Sequence, residues 1–191
     1  ELSKIIKKKK IKVYQIATDC VYSGKSGNYF EEAKHDADDV YGKTKSLGEI
    51  DDKNFFNIRV SIIGKELDTK NSLVEWFLSN EKNSRIFGFK NHLWNGVTTA
   101  VFSQVLLTIL DKKINIPNNF HLVPKNKVNK YVLLNYLKKN YKFKNLKIIK
   151  KNSNKTLNRV LKTSFKKINN EIWSKTKYKK HLSIKEIVST L

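Results

Sequence analysis

The chain has 191 residues, 39% of them hydrophobic, and a formal net charge of +22. That is enough length and apolar content for one ordinary core, which argues against wholesale disorder. No apolar run nears the roughly 20 residues of a membrane-spanning helix, and the single cysteine, Cys20, excludes an internal disulfide framework or a cysteine-based zinc cluster.

In chain order, ELSKIIKKKK reads as the end of a helix, and Ile11–Ala17 as a buried strand after it. Thr18–Val40 is polar and contains Gly24 and Gly27. Tyr41 to about Asp51 is helix-forming, and Phe55–Ser61 is a second strand closed by Ile62, Ile63 and Gly64. Asn71–Ser79 reads as a helix with Leu73, Trp76 and Phe77 on one face, followed by a short strand at Arg85–Phe89. Thr98 is placed to cap a helix running to about Leu110. Phe120–Val123 is a short strand, and Val128–Tyr141 an amphipathic helix carrying Tyr131, Leu134 and Leu137. The tail adds a strand near Leu146–Ile149 and one helix near Ile184–Leu191. Strands alternating with helices over short connections predict an α/β protein with a largely parallel sheet. A soft boundary is expected at Ser61–Lys70. It divides residues 1–64, half of a sheet domain, from residues 65–191, a smaller α/β lobe with some segments returning to the sheet.

The charge is carried almost wholly by lysine: Arg59, Arg85 and Arg159 are the three arginines. Polyanion binding would use such cations through counterion release. No zinc-finger spacing, RNP aromatic motif or basic zipper accompanies them. The charge is therefore assigned to solvated surface and a Lys/Asn/Ile-rich composition rather than to a nucleic-acid partner, with local runs at Lys7–Lys10 and Lys177–Lys180. His35, His92, His121 and His181 are dispersed, so no metal site is expected. A soluble cytoplasmic protein with no membrane partner is expected.

The most informative feature is VYGKTK, which sets Tyr41 and Lys45 four residues apart. On a helix these positions share a face. A phenol with a pKa near 10 needs a lower one for acid–base work at neutral pH, and a nearby ammonium supplies part of that shift. Upstream, the first strand ends in Thr18-Asp19-Cys20-Val21-Tyr22. The C-terminal end of a parallel strand is where open α/β sheets place their ligands.

Taken together, ATDCVYSG, VYGKTK and NIRVSIIG resemble the extended short-chain dehydrogenase/reductase family, and within it the dTDP-4-dehydrorhamnose reductase branch. That pattern has Thr-Asp-x-Val-Phe/Tyr at a strand end, then Tyr-x-x-x-Lys, then Arg with a Gly a few residues on. Similarity continues more weakly through FGFKNHLWNGVTT, FHLVPKNKVNKYVLL and LNRVLKTS. The resemblance implies the C-terminal part of a Rossmann-like doubly wound sheet plus a small substrate-binding lobe. It implies NADP- or NAD-dependent reduction of a 4-keto sugar nucleotide, in deoxysugar or surface-polysaccharide biosynthesis, with a homodimer as one assembly. Tyr41 would donate the proton, Lys45 would lower its pKa and hold the nicotinamide ribose, and Thr18 would hydrogen-bond the carbonyl oxygen. Asp19 and Tyr22 would line the sugar pocket. Asn95, Thr98 and Arg159 are further substrate-contact candidates, and Arg59 is read as structural. Nucleotide-sugar dehydratases carry Thr-Asp-Glu, so Cys20 in place of that Glu disfavours dehydration.

The family's Gly-rich turn, which seats the pyrophosphate on a helix N-terminus, has no counterpart in the sequence. Gly24-Lys25-Ser26-Gly27 follows Thr18 and stands in the wrong place. With no methionine in the chain, the expectation is an N-terminal truncation of the family's architecture, inactive alone and with an exposed half-sheet edge. Two other readings stand beside the enzyme: a non-catalytic sugar-nucleotide-binding module, and a basic polyanion-binding protein.

Overall fold

The computed structural model describes residues 2–69, 71–80 and 85–191. Glu1, Lys70 at the end of the expected boundary, and the side chain of Lys7 in the first basic run lie outside that description. The elements are α1 (Leu2–Lys9), β1 (Val13–Thr18), α2 (Val40–Leu47), β2 (Phe55–Val60), β3 (Ile62–Ile63), α3 (Leu73–Leu78), β4 (Arg85–Phe89), β5 (His92–Trp94) and β6 (Val97–Thr98). There follow α4 (Thr99–Asp111), β7 (Asn119–His121), β8 (Val128–Asn129), α5 (Lys130–Asn140), β9 (Lys147–Lys151), β10 (Leu157–Asn158), α6 (Lys166–Lys175) and α7 (Ile184–Val188).

The principal sheet has the order β1-β2-β7, all parallel. The β2 segment FFNIRV is buried along its whole length, as expected of a central parallel strand covered on both faces. Its neighbour β1 forms an edge, with Ile16 53% exposed. Register pairs Tyr14 with Phe56, and their rings stack at 5.0 Å. Residues 119–121 thus return to the first sheet. The remaining strands form three small sheets: β10-β5-β8, β3-β6 and β4-β9.

One apolar core runs from Phe56, Ile58 and Val60 of β2 through α3, α4 and α5 to Trp173 of α6 and Ile187 of α7. Thr98 caps α4 as its spacing predicts, accepting from the Val101 amide. On α3 the buried pair is Val74 and Phe77, while Trp76 is turned outward beneath the Lys130 ammonium. The expected Leu73/Trp76/Phe77 face is therefore rotated. Helix α6 was not anticipated. Phe165 caps it without a side-chain hydrogen bond, so the usual start signal is missing. Its register comes instead from Ile172 and Trp173 in the core, and from Asn169, which exchanges hydrogen bonds with both backbone groups of Val123.

Candidate active site

Strand β1 ends at Thr18, whose side chain accepts from the Cys20 amide at 3.1 Å and so starts a 3-10 turn over Asp19–Val21. The chain then loops to Asp39, which caps α2 by accepting from the Gly42 amide at 2.7 Å. Gly42 is required there: a Cβ at that position would strike the Cys20 carbonyl and the Ala37 side chain. This close approach sets α2 against the end of β1. Thr18, Tyr41 and Lys45 meet at that edge. Tyr41 shares a hydrogen bond with Thr18, and the Lys45 Nζ stands 5.8 Å from the centre of the Tyr41 ring, on the same side of the helix. Tyr41 is 55% exposed.

The electrostatics depart from the sequence expectation at one point. Partial burial, with the charges of Cys20, Asp19 and Asp39, pushes the Tyr41 phenol above its ordinary value, against the hydrogen bond from Thr18. Lys45 is not what sets the phenol's pKa in this structure, so the expected depression is absent.

Asp19 does not line an open pocket. It is buried, and burial pushes its carboxyl up against the opposing pull of Arg159 and hydrogen bonds from Ser61 and Thr18. Tyr22 is fully buried, with its phenol pushed up to about 12, chiefly by burial. It stacks on Tyr29 at 4.2 Å, and its hydroxyl meets the Phe30 carbonyl, His121 Nε2 and Arg59 Nη1. Tyr22 is thus sealed inside the protein rather than open to solvent. Asn95 is also committed elsewhere: its amide bridges both backbone groups of Leu161. Thr98 has 0% exposure and spends its hydroxyl on the α4 cap and on Thr190 at 2.6 Å. Arg159 alone of the distant candidates reaches the edge. Its guanidinium donates to the Tyr22 carbonyl (2.8 Å), to Cys20 Sγ (3.3 Å) and to Asp39 Oδ2 (3.2 Å).

Sequence reasoning missed the buried polar network under this edge. Arg59 forms an ion pair with both carboxylate oxygens of Glu49, Nε donating to Oε1 and Nη2 to Oε2, and donates to the Glu31 carbonyl. The Glu31 carboxylate accepts from Thr163, the Ser164 amide and the His121 amide. His121 Nδ1 faces the Lys162 carbonyl, which only accepts, so Nδ1 carries the proton and Nε2 accepts. Burial, the largest cause, with the nearby Arg59 charge, lowers its pKa to about 4. The only sequence signal for this network was the NIRVSIIG arginine.

The Gly24–Gly27 turn is not a vacant phosphate cradle. Both glycines have positive φ, and a Cβ at Gly27 would land on the Asn158 side chain, one at Gly24 on Leu157. The chain's own residues fill the turn. A surface cavity of about 680 Å³ lies elsewhere, lined by Lys125, Asn126, Ser183, Lys185, Glu186 and Ser189.

No protein-family model and no curated protein sequence matches the chain. Solved structures do. A dTDP-4-dehydrorhamnose reductase from Clostridium acetobutylicum superimposes with a TM-score of 0.75 at 17% identity, over 99% of this chain and 68% of that one. The chain has the fold of these reductases. The enzyme of that name from Bacillus anthracis, solved in complex with NADP, matches at 0.71 and 15% identity, over 94% of this chain and 64% of that one. A dTDP-glucose 4,6-dehydratase from Bacillus anthracis in complex with NAD matches at 0.63 and 14% identity, over 99% and 63%. The chain thus spans about two thirds of the length of the structures it matches. The architecture is mixed α/β with parallel sheets, as in those solved structures. No described helix is long and apolar enough to cross a membrane.

Proposed function

We propose that this chain carries the proton-donating edge and most of the substrate lobe of an NADP- or NAD-dependent reductase of 4-keto sugar nucleotides. Residues 1–64 supply the edge and 65–191 most of the lobe. The observation that carries the reading is the meeting of Thr18, Tyr41 and Lys45 at the C-terminal end of a parallel strand. The likeness to two reductases of that name supports it.

The residues present fit the nicotinamide end of the cofactor. Tyr41 and Lys45 share an exposed face of α2, and Lys45 makes no ion pair among the described residues. The bound cofactor supplies a hydride to the carbonyl carbon of the substrate. Tyr41 delivers the matching proton to the carbonyl oxygen, and Thr18 holds that oxygen by a hydrogen bond. With its phenol pushed up, Tyr41 is protonated at neutral pH and ready to act as the acid in the reducing direction. Lys45, beside the ring on the same exposed face, is placed to hold the nicotinamide ribose. Arg159 holds Asp39, the cap of the helix that presents Tyr41.

The test is reduction of dTDP-4-dehydrorhamnose by NADPH. Tyr41→Phe is expected to lower turnover roughly 10²–10⁴-fold with the fold intact. Near-normal turnover in that variant overturns the role of Tyr41.

A further inference from the structure

The net charge of +22 locates no site by itself. The small parallel sheet β4-β9 does. Register places Arg85 beside Lys147, Phe87 beside Ile149 and Phe89 beside Lys151. Side chains alternate across a strand, and paired residues share a face. Ile86 and Gly88 therefore point the other way. Ile86 is buried, and Gly88 lets α5 approach so closely that a Cβ would meet Tyr131 at 2.7 Å. The inner face is packed and the outer face is open. Arg85, Lys147 and Lys151 are exposed, Phe87 is 48% exposed and Ile149 39%.

We propose that this outer face binds single-stranded nucleic acid, with Phe87 and Phe89 stacking bases and Arg85, Lys147 and Lys151 neutralising phosphates. Neither strand carries a carboxylate, and none of the three cations has an ion-pair partner among the described residues. The open charge thus calls for an anion. A second copy of the chain is disfavoured, because a two-fold contact here sets the same cations against one another. The rings, Phe87 exposed and Phe89 half-buried, select the kind of anion. Phe87 and Phe89 are two residues apart on one strand, about 6.6 Å at the usual rise. Each presents a π-face that already attracts a polar group: Lys151 Nζ stands 5.0 Å from the Phe87 ring centre, and His92 lies 4.8 Å from Phe89. Successive bases stack on such rings whatever their sequence, while flanking cations follow the backbone. A lipid surface needs apolar side chains that project beyond the cations. Here Phe87 and Ile149 are both more than half covered.

The test is anisotropy of a short labelled oligothymidylate titrated with the 191-residue chain, from about 50 to 200 mM salt. An abasic strand of equal length and charge serves as the comparison. The thymidylate is expected to bind roughly tenfold or more tightly than the abasic strand, and Phe87→Ala to erase most of that difference without changing the salt slope. Phe87→Tyr keeps a ring face and is expected to bind like the parent chain. Exchanging Arg85, Lys147 and Lys151 together for Gln is expected to flatten the log–log salt slope by about 2, at roughly 0.7 for each phosphate no longer neutralised. Equal binding of the thymidylate and abasic strands overturns the proposal, because it leaves only the diffuse charge of the chain. So does tighter binding to phosphatidylserine vesicles that depends on Phe87. These outcomes are read without enzymatic turnover and stand apart from the fate of the reductase reading.

Discussion

The edge that presents Tyr41 and the network beneath it draw on the same short segment, ATDCVYSG, and treat its residues in opposite ways. Thr18 stays at the strand end, beside an exposed phenol and an exposed lysine. Tyr22, one 3-10 turn later, is rotated inward and closed off by Tyr29, His121 and Arg59. The edge is open and sparsely bonded. In the network every member is bonded: Arg59 to Glu49 and Glu31, and Glu31 to Thr163, Ser164 and His121. A motif therefore names a neighbourhood, and the turn inside it decides which of its residues face a ligand and which hold the loop in place.

Four measurements press on this contrast. The largest effect belongs to Arg59→Ala, which leaves the buried Glu49 carboxylate without its guanidinium. A loss of about 3–5 kcal/mol in denaturant unfolding is expected; a loss below about 1 kcal/mol would make the network ornamental. Next comes pH. His121 keeps its neutral form in the fold to about pH 4, whereas the unfolded chain takes up the proton near 6.5. The unfolded state then binds more protons between those values, so stability is full above about 6.5 and falls as pH drops toward 4, by about 3 kcal/mol. Burial shifts His35 and His181 in the same direction, so His121→Gln should remove the largest share of the slope rather than all of it.

Third, Tyr22→Phe should cost about 1–3 kcal/mol by leaving buried partners unmatched. Tyr41→Phe should stay within about 0.5 kcal/mol, as for an exposed group. Equal losses from the two tyrosines, read by thermal or denaturant melts, would erase the distinction between edge and network. The smallest effect is Thr98→Ala, about 1 kcal/mol for a lost helix cap. KM for a sugar nucleotide is expected to be unchanged in that variant; a raised KM would return Thr98 to the site.

What could be read in the sequence was local. The Thr98 cap, the α4 helix, the β4 strand and the sharing of a helix face by Tyr41 and Lys45 each depend on residues within one or two turns of each other. The burial of Tyr22 depends on His121, 99 positions away, and the use of Asn95 on Leu161, 66 positions away. No spacing rule reaches that far. Helix α6 was missed because its start lacks a capping side chain and lysines dominate its surface. The outward turn of Trp76 was missed because α3 is too short for its periodicity to separate Val74 from its neighbours.

The segment Leu157–Lys162 binds the Gly24–Tyr29 loop through backbone bonds from Asn158 to Gly24, from Tyr29 to Val160 and from Lys162 to Tyr29. Arg159 reaches the Tyr22 carbonyl across 137 positions of sequence. The loop beside Tyr41 is therefore finished by residues made about 130 positions later. At translation rates of about 5–20 residues per second, it waits on the order of 10 s on the ribosome for its strap. Contacts this distant in sequence slow folding by their closure entropy. In refolding, protection of the Tyr29 amide should consequently appear late, together with that of Lys162, and after the helices of the core.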